Sequence, residues 1–503
     1  MFRLHRVLIG YAVAVPLALI LGYLVATPDM ASVAVVGMVL FFLTLPLLIQ
    51  WNHFLLIFFW NSAFIAGFLP GSVQLWTIFA GLTLGMGVVH RVMGQRNFLR
   101  APELTKPILM LAAVVLVTSK LRGGWGMRVM GSGSFGGRNY FYVLAAIVGY
   151  FALTSQAIPI AKGARTVKWF FLSELTYGMT NMVYVLGPAF YFLFYFVSLD
   201  FVYGQAAADW MQDAVRRLGG LGPSASGVVC FMLARYGLRG IADFTKPWRL
   251  LLLLAALVAG MFSGFRSSLA LMGILLVVQF FVEGLWKTYL MPVLAVLGIL
   301  CLTPIFLFAN RMPASVQRSM AFLPVNIDPS VRMDALNSSE WRFQMWRAVW
   351  PEVPKYLLLG KGYAIDPVDL YLTEQASHSG LINSYESAMV SGDYHSGPLS
   401  VLMPFGAFGA IAFLWLLGAG IKVLYCQRRY GDPRLKMINN FFFSYFMTQC
   451  VFFFFVFGAL NSQQSSFLGI LGLSVSINGG VCRKKDPKRV AKPASVAAML
   501  EPA

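Results

Sequence analysis

SSEWRFQMWRAVWPEVPKYLLLGKGY, residues 338–363, lies within a polar stretch from 310 to 398 in a chain that is otherwise almost wholly apolar. A hydrophobic run ending FLFAN (306–310) precedes the stretch, and SGDYHSGPLSVLMPFGAFGAIAFLWLL (391–417) closes it, turning apolar just after His395. Charged and aromatic residues between two membrane-length apolar segments read as one large extramembrane loop. A histidine is then held beside a bilayer surface.

The surrounding composition fixes the class. Of 503 residues, 58% are hydrophobic and 12% charged, which no water-soluble globule of this size sustains. The chain is expected to be an all-α polytopic membrane protein. Apolar runs of about 13 to 22 residues fall at 7–26, 31–49, 54–70, 73–89, 107–119, 142–158, 177–198, 223–238, 250–265, 267–282, 288–309, 399–418, 439–459 and 466–479. This gives roughly 12–14 transmembrane helices. The first run has no small-residue cleavage site before a soluble domain and reads as a span. The five cysteines show no CxxC spacing and none lies in the large loop, so neither a disulfide nor a zinc site is inferred. The expected organisation is a transmembrane bundle over 1–309, the loop over 310–398, further transmembrane helices over 399–480 and a basic tail over 481–503.

Charge orients the chain. With the N-terminus inside, the internal segments MFRLHR, HRVMGQRNFLRAPELTK, KGARTVK, RYGLRGIADFTKPWR, EGLWK, IKVLYCQRRYGDPRLK and RKKDPKRVAKP hold about 25 of the 39 basic residues. Both termini are then cytoplasmic and the large loop outside. The net charge of +19 is accounted for by attraction to anionic lipid, without a nucleic-acid partner.

Some basic residues remain outside. LRGGWGMRVMGSGSFGGRNY (121–140) carries Arg122, Arg128 and Arg138, many glycines and no acidic residue. Glycines let backbone N–H groups approach a phosphate and arginine grips one bidentately, so this loop suits a diphosphate headgroup or, equally, ordinary lipid phosphates. GSGSFG matches GxGxxG, but no strand precedes it, which excludes a dinucleotide site. Arg216 and Arg217 precede another span, and Arg266 sits in the tight turn SGFRSS (263–268). Each either snorkels to headgroups or binds an anion, and the tight turn favours binding for Arg266.

In the loop, Arg342, Trp346 and Arg347 fall at i, i+4 and i+5 of a helix that Ser338 or Ser339 is expected to cap and Pro351 to stop. Arg342 and Trp346 share a face, suited to a charged and stacking contact with a diphosphate-linked sugar. The same helix also suits resting Trp341, Phe343, Met345 and Trp350 on the bilayer or bundle. Tyr394 and His395 stand just before SGPLSV, where Ser396 can cap and Pro398 begin a helix, fixing an imidazole suited to deprotonating a sugar hydroxyl. His378, in the softer ASHSGLINSY, is the weaker candidate.

In their order these features resemble the O-antigen ligase and polymerase superfamily. An arginine in a tight outer turn comes first, followed by R-x-x-x-W-x-A (Arg342, Trp346, Ala348), P-x-x-x-x-x-G-x-G (Pro354, Gly360, Gly362), and a histidine just before a helix with G-x-x-G (Gly406, Gly409). The resemblance covers mainly residues 260–420. Family members usually show His-Asn where this chain has His395-Ser396, so subfamily and acceptor stay open.

The resemblance implies a GT-C-like, metal-independent, inverting glycosyltransferase of the bacterial inner membrane, with the large loop periplasmic and no cofactor. It would move a glycan from an undecaprenyl-diphosphate carrier to a glycan, lipid A core or protein acceptor. On that reading Arg266 and Arg342, helped by Arg216 or Arg217 and by Arg128 and Arg138, hold the diphosphate. His395 is the base, oriented by Asp393 or Glu386, and Trp341, Trp346 and Tyr394 hold sugar rings. Two alternatives stand beside it. A flippase for lipid-linked glycan gives the loop's arginine, tryptophan and histidine no task. A metal-dependent oligosaccharyltransferase would need carboxylates such as Asp29, or Asp366 and Asp369, as ligands.

Overall fold

A computed structural model describes residues 22 and 30–483, apart from 96, 128–129, 131, 211–214, 380–382 and 384. Apart from Gly22, the first expected span, Asp29, Arg128 and most of the basic tail therefore lie outside the described residues. After Leu55 the chain divides into two compact units, of which the second contains everything that follows.

The described residues form eighteen α-helices and one ribbon of two very short strands. In chain order the helices are α1 Met30–Phe59, α2 Leu75–Val92, α3 Pro102–Arg122, α4 Gly137–Leu153, α5 Ile160–Leu172, α6 Thr176–Leu186, α7 Tyr203–Trp210, α8 Leu221–Ile241 and α9 Trp248–Met261. They continue as α10 Arg266–Val282, α11 Leu290–Phe308, α12 Ala314–Ser319, α13 Pro329–Val349, α14 Pro367–His378, α15 Tyr385–Ser391, α16 Gly397–Tyr430, α17 Lys436–Phe455 and α18 Leu460–Ile477. Strands β1 (Ile65–Ala66) and β2 (Val73–Gln74) pair antiparallel with Ile65 opposite Gln74.

This is a polytopic membrane protein. Among the described residues, five helical segments are long and apolar enough to cross a bilayer: Leu75–Val92, Pro102–Arg122, Leu290–Arg311, Gly397–Tyr430 and Pro433–Phe455. Shorter apolar helices at Leu43–Phe59, Trp248–Met261 and Arg266–Val282 accompany them. Along α11 large apolar side chains such as Ile299 and Leu307 stand exposed, which suits a lipid-facing surface and not a water-facing one. The interior is aromatic, with Phe441, Phe446 and Phe453 of α17 and Phe467 of α18 fully buried. Helix α4 packs on α2 and α18, α16 on α3 and α17, and α8 on α9.

Three expected spans end differently in the structure. Residues 31–49 and the start of 54–70 form one continuous helix, α1, and the ribbon occupies the rest. Hydropathy sees no break between apolar runs joined by a helical WNHF; the chain turns where Pro70-Gly71 interrupts it. The 177–198 run is only half α-helix, because Gly187 at φ 91° ends α6 and a 3₁₀ helix, Pro188–Tyr195, follows.

The 310–396 stretch is folded, and two of its surfaces dock on the bundle. Val316, Met320, Val325 and Ile327 share a core with Met261 and Ala309. Met345, Val349 and Val353 share another with Tyr394, Leu399 and Met403. Helix α13 starts earlier than expected: its N-cap is Asp328, which accepts from the Ser330 N–H at 2.8 Å, and not Ser338 or Ser339. It gives way to the 3₁₀ turn Trp350–Tyr356 at the expected Pro351. Ser396 occupies the N-cap position of α16 as expected, without a side-chain cap bond.

Helix α16 is broken at Gly406 (φ 62°, ψ −159°), and the loop fills the break. The Lys361 and Gly362 N–H groups donate to the Met403 and Pro404 carbonyls at 2.7 and 2.9 Å, and the Ala407 N–H donates to Leu357 O at 2.5 Å. Carbonyls orphaned by the break thus find main-chain donors where water is scarce. A side chain at Gly406 would meet the Leu357 and Leu358 carbonyls in a left-handed conformation. Gly406→Ala is expected to cost about 2 kcal/mol or more, read as a lower unfolding temperature in detergent. An unchanged melting curve would show that the interlock is not tight.

Candidate functional site

The residues around His395 assemble from three directions. Helix α13 brings Trp341 and Arg342, the segment before α16 brings Asp393 to His395, and the turn after α17 brings Phe457. Trp341 and Phe457 both meet the imidazole edge-to-face, with ring centroids 5.3 Å away. The Arg342 guanidinium lies 5.8 Å from the centre of the same Phe457 ring. His395 itself has φ 47°, left-handed backbone that non-glycine residues rarely adopt and that concentrates at functional sites.

Asp393 orients the ring. Its Oδ1 lies 3.1 Å from His395 Nδ1, and its carbonyl oxygen lies 3.2 Å from the same nitrogen. Two acceptors at Nδ1 favour the tautomer that carries its proton there, which leaves Nε2 free to accept one. Burial pulls the imidazole pKa down, but the hydrogen bonds and charge of Asp393 outweigh it, and the net shift is upward from 6.5. Burial likewise pushes Asp393 up, and His395 with Arg342 brings it to a net decrease. Glu386, the other expected partner, instead accepts from the Asn383 N–H in its own turn at 3.4 Å.

Beside this lies a knot of arginines held by one carboxylate. Arg318, 5% exposed, is hydrogen-bonded through Nε to Asp334 and donates from a terminal nitrogen to Gly264 O at 2.8 Å. The Asp334 carboxylate also lies 3.9 Å from Arg217. Gly264 belongs to the SGFRSS turn, so Arg318 fixes the turn that carries Arg266. Burial, then Arg318, then Arg266 destabilise the charged form of Arg217, with Asp334 opposing. Burial and Arg318 do the same to Arg342, with Asp393 opposing. Arg266 lies within electrostatic reach of Arg318, Arg342 and Asp334. Among the described residues, four guanidiniums near two carboxylates leave positive charge uncompensated in a poorly hydrated place, and a multivalent anion relieves it. The buried Nε of Arg217 has no hydrogen-bond acceptor among the described residues, which leaves a donor for such an anion.

A cavity of about 750 Å³ opens next to the knot. Arg342, His395 and Arg138 line it, as do Phe265, Ser267 and Ser268 of the SGFRSS turn and the start of α10, whereas Arg217 and Arg266 do not. Arg138 reaches it from the start of α4, with its guanidinium 5.6 Å from the Tyr142 ring centre.

The structure brings Arg217, Arg266, Arg342 and His395 together, with Arg138 across the cavity. Arg216 is exposed and stands apart, within electrostatic reach of Tyr184. Trp346 donates its indole N–H to Tyr394 O at 2.8 Å, and Tyr394 is only 4% exposed; both serve to seat the loop, and neither lines the cavity. Met345 is fully buried on the bundle side, while Phe343 and Trp350 are exposed. Several glycines of 121–140 admit neighbouring backbone, while Gly123 and Gly133 face open space. Gly124 and Gly136 pack on the backbone of Ala364 and Tyr363, Phe135 pairs with Ile365, and Arg122 donates to Gly360 O at 2.9 Å. Asp366 caps α14 by accepting from the Val368 N–H at 2.7 Å. The His378 side chain lies outside the described residues. Arg318 and Asp334 escaped the sequence reading because nothing in SVQRSM or RMDAL marks a pair sixteen residues apart as buried partners.

Residues 250–414 match the O-antigen ligase family, a family of enzymes. The matched domain contains Arg266, Arg318, Asp334, Arg342, Asp393 and His395, whereas Arg138 and Arg217 lie outside it. No curated protein matches the chain.

The Asp393 contact makes a testable statement about charge. In histidine-labelled protein, Asp393→Asn is expected to lower the pKa of the His395 imidazole, because the groups that raise it lose their negative charge. NMR titration, with the His395 signal assigned by its loss in His395→Gln, reads the shift. An unmoved midpoint would mean that Asp393 does not govern the ring.

Proposed function

We propose that this protein transfers a glycan from an undecaprenyl-diphosphate carrier to an acceptor hydroxyl on the periplasmic face of a bacterial inner membrane. The single observation that carries this reading is the adjacency of an Asp393-oriented imidazole to an arginine knot, undercompensated among the described residues, at the edge of one cavity. The family match of residues 250–414 supports the same class of reaction. The Lys/Arg distribution supports cytoplasmic termini and a periplasmic loop.

In this reading Arg342 and Arg266, with Arg217, bind the diphosphate and stabilise the charge that grows on it as the glycosidic bond breaks. The acceptor hydroxyl gives its proton to Nε2 of His395 while its oxygen attacks the anomeric carbon, and Asp393 stabilises the imidazolium that forms. One displacement inverts the anomeric centre, and the proton, the leaving diphosphate and the new bond are all accounted for without a metal. Arg318 touches no reactant and acts by holding the Gly264 turn. Because the base must be neutral, the rate should fall at low pH.

His395→Ala is expected to insert, fold and bind the lipid-linked donor, yet transfer glycan about 100-fold more slowly or worse. His378→Ala serves as the control and should keep most of its activity. Transfer assays with purified protein in liposomes decide the point; normal turnover by His395→Ala removes the base from this mechanism.

Arg266→Lys and Arg342→Lys preserve charge but not the bidentate fork, and each should lose about tenfold or more in transfer rate. Near-normal turnover of both variants would reduce these arginines to anchors for lipid headgroups.

A further inference from the structure

The part of the cavity lined by Glu174 has a chemistry unlike the part lined by Arg342 and His395. Glu174 faces into it from the 3₁₀ turn Ser173–Leu175, which joins α5 to α6 inside the bundle. This position is held from both sides. The Ser224 hydroxyl accepts from the Gly178 N–H at 2.9 Å and donates to Glu174 O at 3.2 Å. Gly227 lets α8 come close, since a Cβ there would lie 2.5 Å from Phe171 O and 2.8 Å from Glu174 Cβ. Among the described residues no hydrogen bond or ion pair engages the Glu174 carboxylate. An ionisable group among membrane helices with no protein partner is costly to keep, and such groups mark substrate paths.

Its surroundings suit a sugar better than a lipid tail. Asn61, Gln74 and Asn461 bring amides to the cavity wall, and Trp76 brings aromatic surface, with Tyr142 at the border where the Arg138 guanidinium lies 5.6 Å from its ring centre. Several of these are already fixed: Gln74 Oε1 accepts from the Trp76 indole at 2.6 Å, and Asn461 donates to Asn139 Oδ1 at 2.8 Å. Tyr445, Gln449 and Phe452 follow one face of α17 along the cavity, a depth of about 10 Å at helical rise. A rigid polar pocket with a few aromatic faces and an unpaired carboxylate offers acceptors to hydroxyl groups and flat surface to the C–H face of a pyranose.

We propose that this part of the cavity is the donor sugar subsite and that Glu174 accepts a hydrogen bond from a hydroxyl of the glycan next to the diphosphate. The assignment rests on the transfer reaction proposed above and adds the specificity residue to it. The cationic part takes the diphosphate; the acidic part reads the sugar.

Binding to protein in nanodiscs separates the two halves. One probe is undecaprenyl diphosphate without sugar. The other is the lipid-linked glycan extracted from a strain lacking this protein. Glu174→Ala should bind the bare carrier like the unaltered protein and the glycan-bearing carrier about tenfold more weakly, the size of one hydrogen bond to a charged group. Glu174→Gln keeps the shape and one acceptor and should weaken only the glycan-bearing probe, by about threefold; it stands in if the alanine variant does not fold. Equal binding of the glycan-bearing carrier by unaltered protein and Glu174→Gln, or equal weakening of both probes, overturns the subsite. Arg342→Ala should weaken both probes, and its failure to do so would remove the diphosphate assignment while leaving the Glu174 comparison readable.

Discussion

Backbone polar groups inside an apolar bundle must find partners within the protein, and the break in α16 at Gly406 is where this constraint organises the molecule. Without the loop, the carbonyls of Met403 and Pro404 would lack donors; with it, the N–H groups of Lys361 and Gly362 supply them. The same contact pins the 357–362 segment against the membrane helix. From that fixed point the chain runs back through the Trp350–Tyr356 turn to α13, whose Met345 and Val349 pack under Tyr394. Arg342 and His395 are therefore neighbours because two main chains interlock one layer below them.

Electrostatics then divides the site. Arg217, Arg266, Arg318 and Arg342 repel one another, and among the described residues Asp334 and Asp393 do not balance them. Asp334 is committed to Arg318 and Arg217, and through Arg318 to the turn that bears Arg266. Asp393 is committed to His395. Each carboxylate thus has a structural assignment, and the remaining positive charge is available to a ligand. Glu174, separate from both groups, gives its part of the cavity the opposite character. A cavity with one basic part and one acidic, amide-rich part can distinguish two parts of one substrate.

Much of this was legible in the chain. The composition specified membrane helices, and the turn in SGFRSS, the arginine and tryptophan of the loop, and the histidine before SGPLSV were all visible as residues placed where apolar sequence gives way. The glycines of 121–140 were visible too, but a glycine that admits a phosphate and one that admits a neighbouring backbone look the same in sequence, and only the structure showed that Gly136 and Gly124 admit Tyr363 and Ala364. Trp346 and Tyr394 likewise have aromatic rings suited to a sugar, yet a hydrogen bond between indole and carbonyl joins them and buries Tyr394.

The sequence by itself determined what is local or periodic: membrane-length hydrophobicity, the outer position of the large loop as an expectation from charge, and the order of the arginines and histidine that resembles one family. Only the tertiary structure decided which charges meet. Arg318 with Asp334, Arg217 rather than Arg216, and the placement of Glu174 depend on segments separated in the chain coming together, and Asp393 rather than Glu386 depends on the local turn that brings its carboxylate to the ring. Hydropathy records how a residue prefers water or lipid. It carries no information about which other charged group shares the low-dielectric space, and that neighbour sets the chemistry.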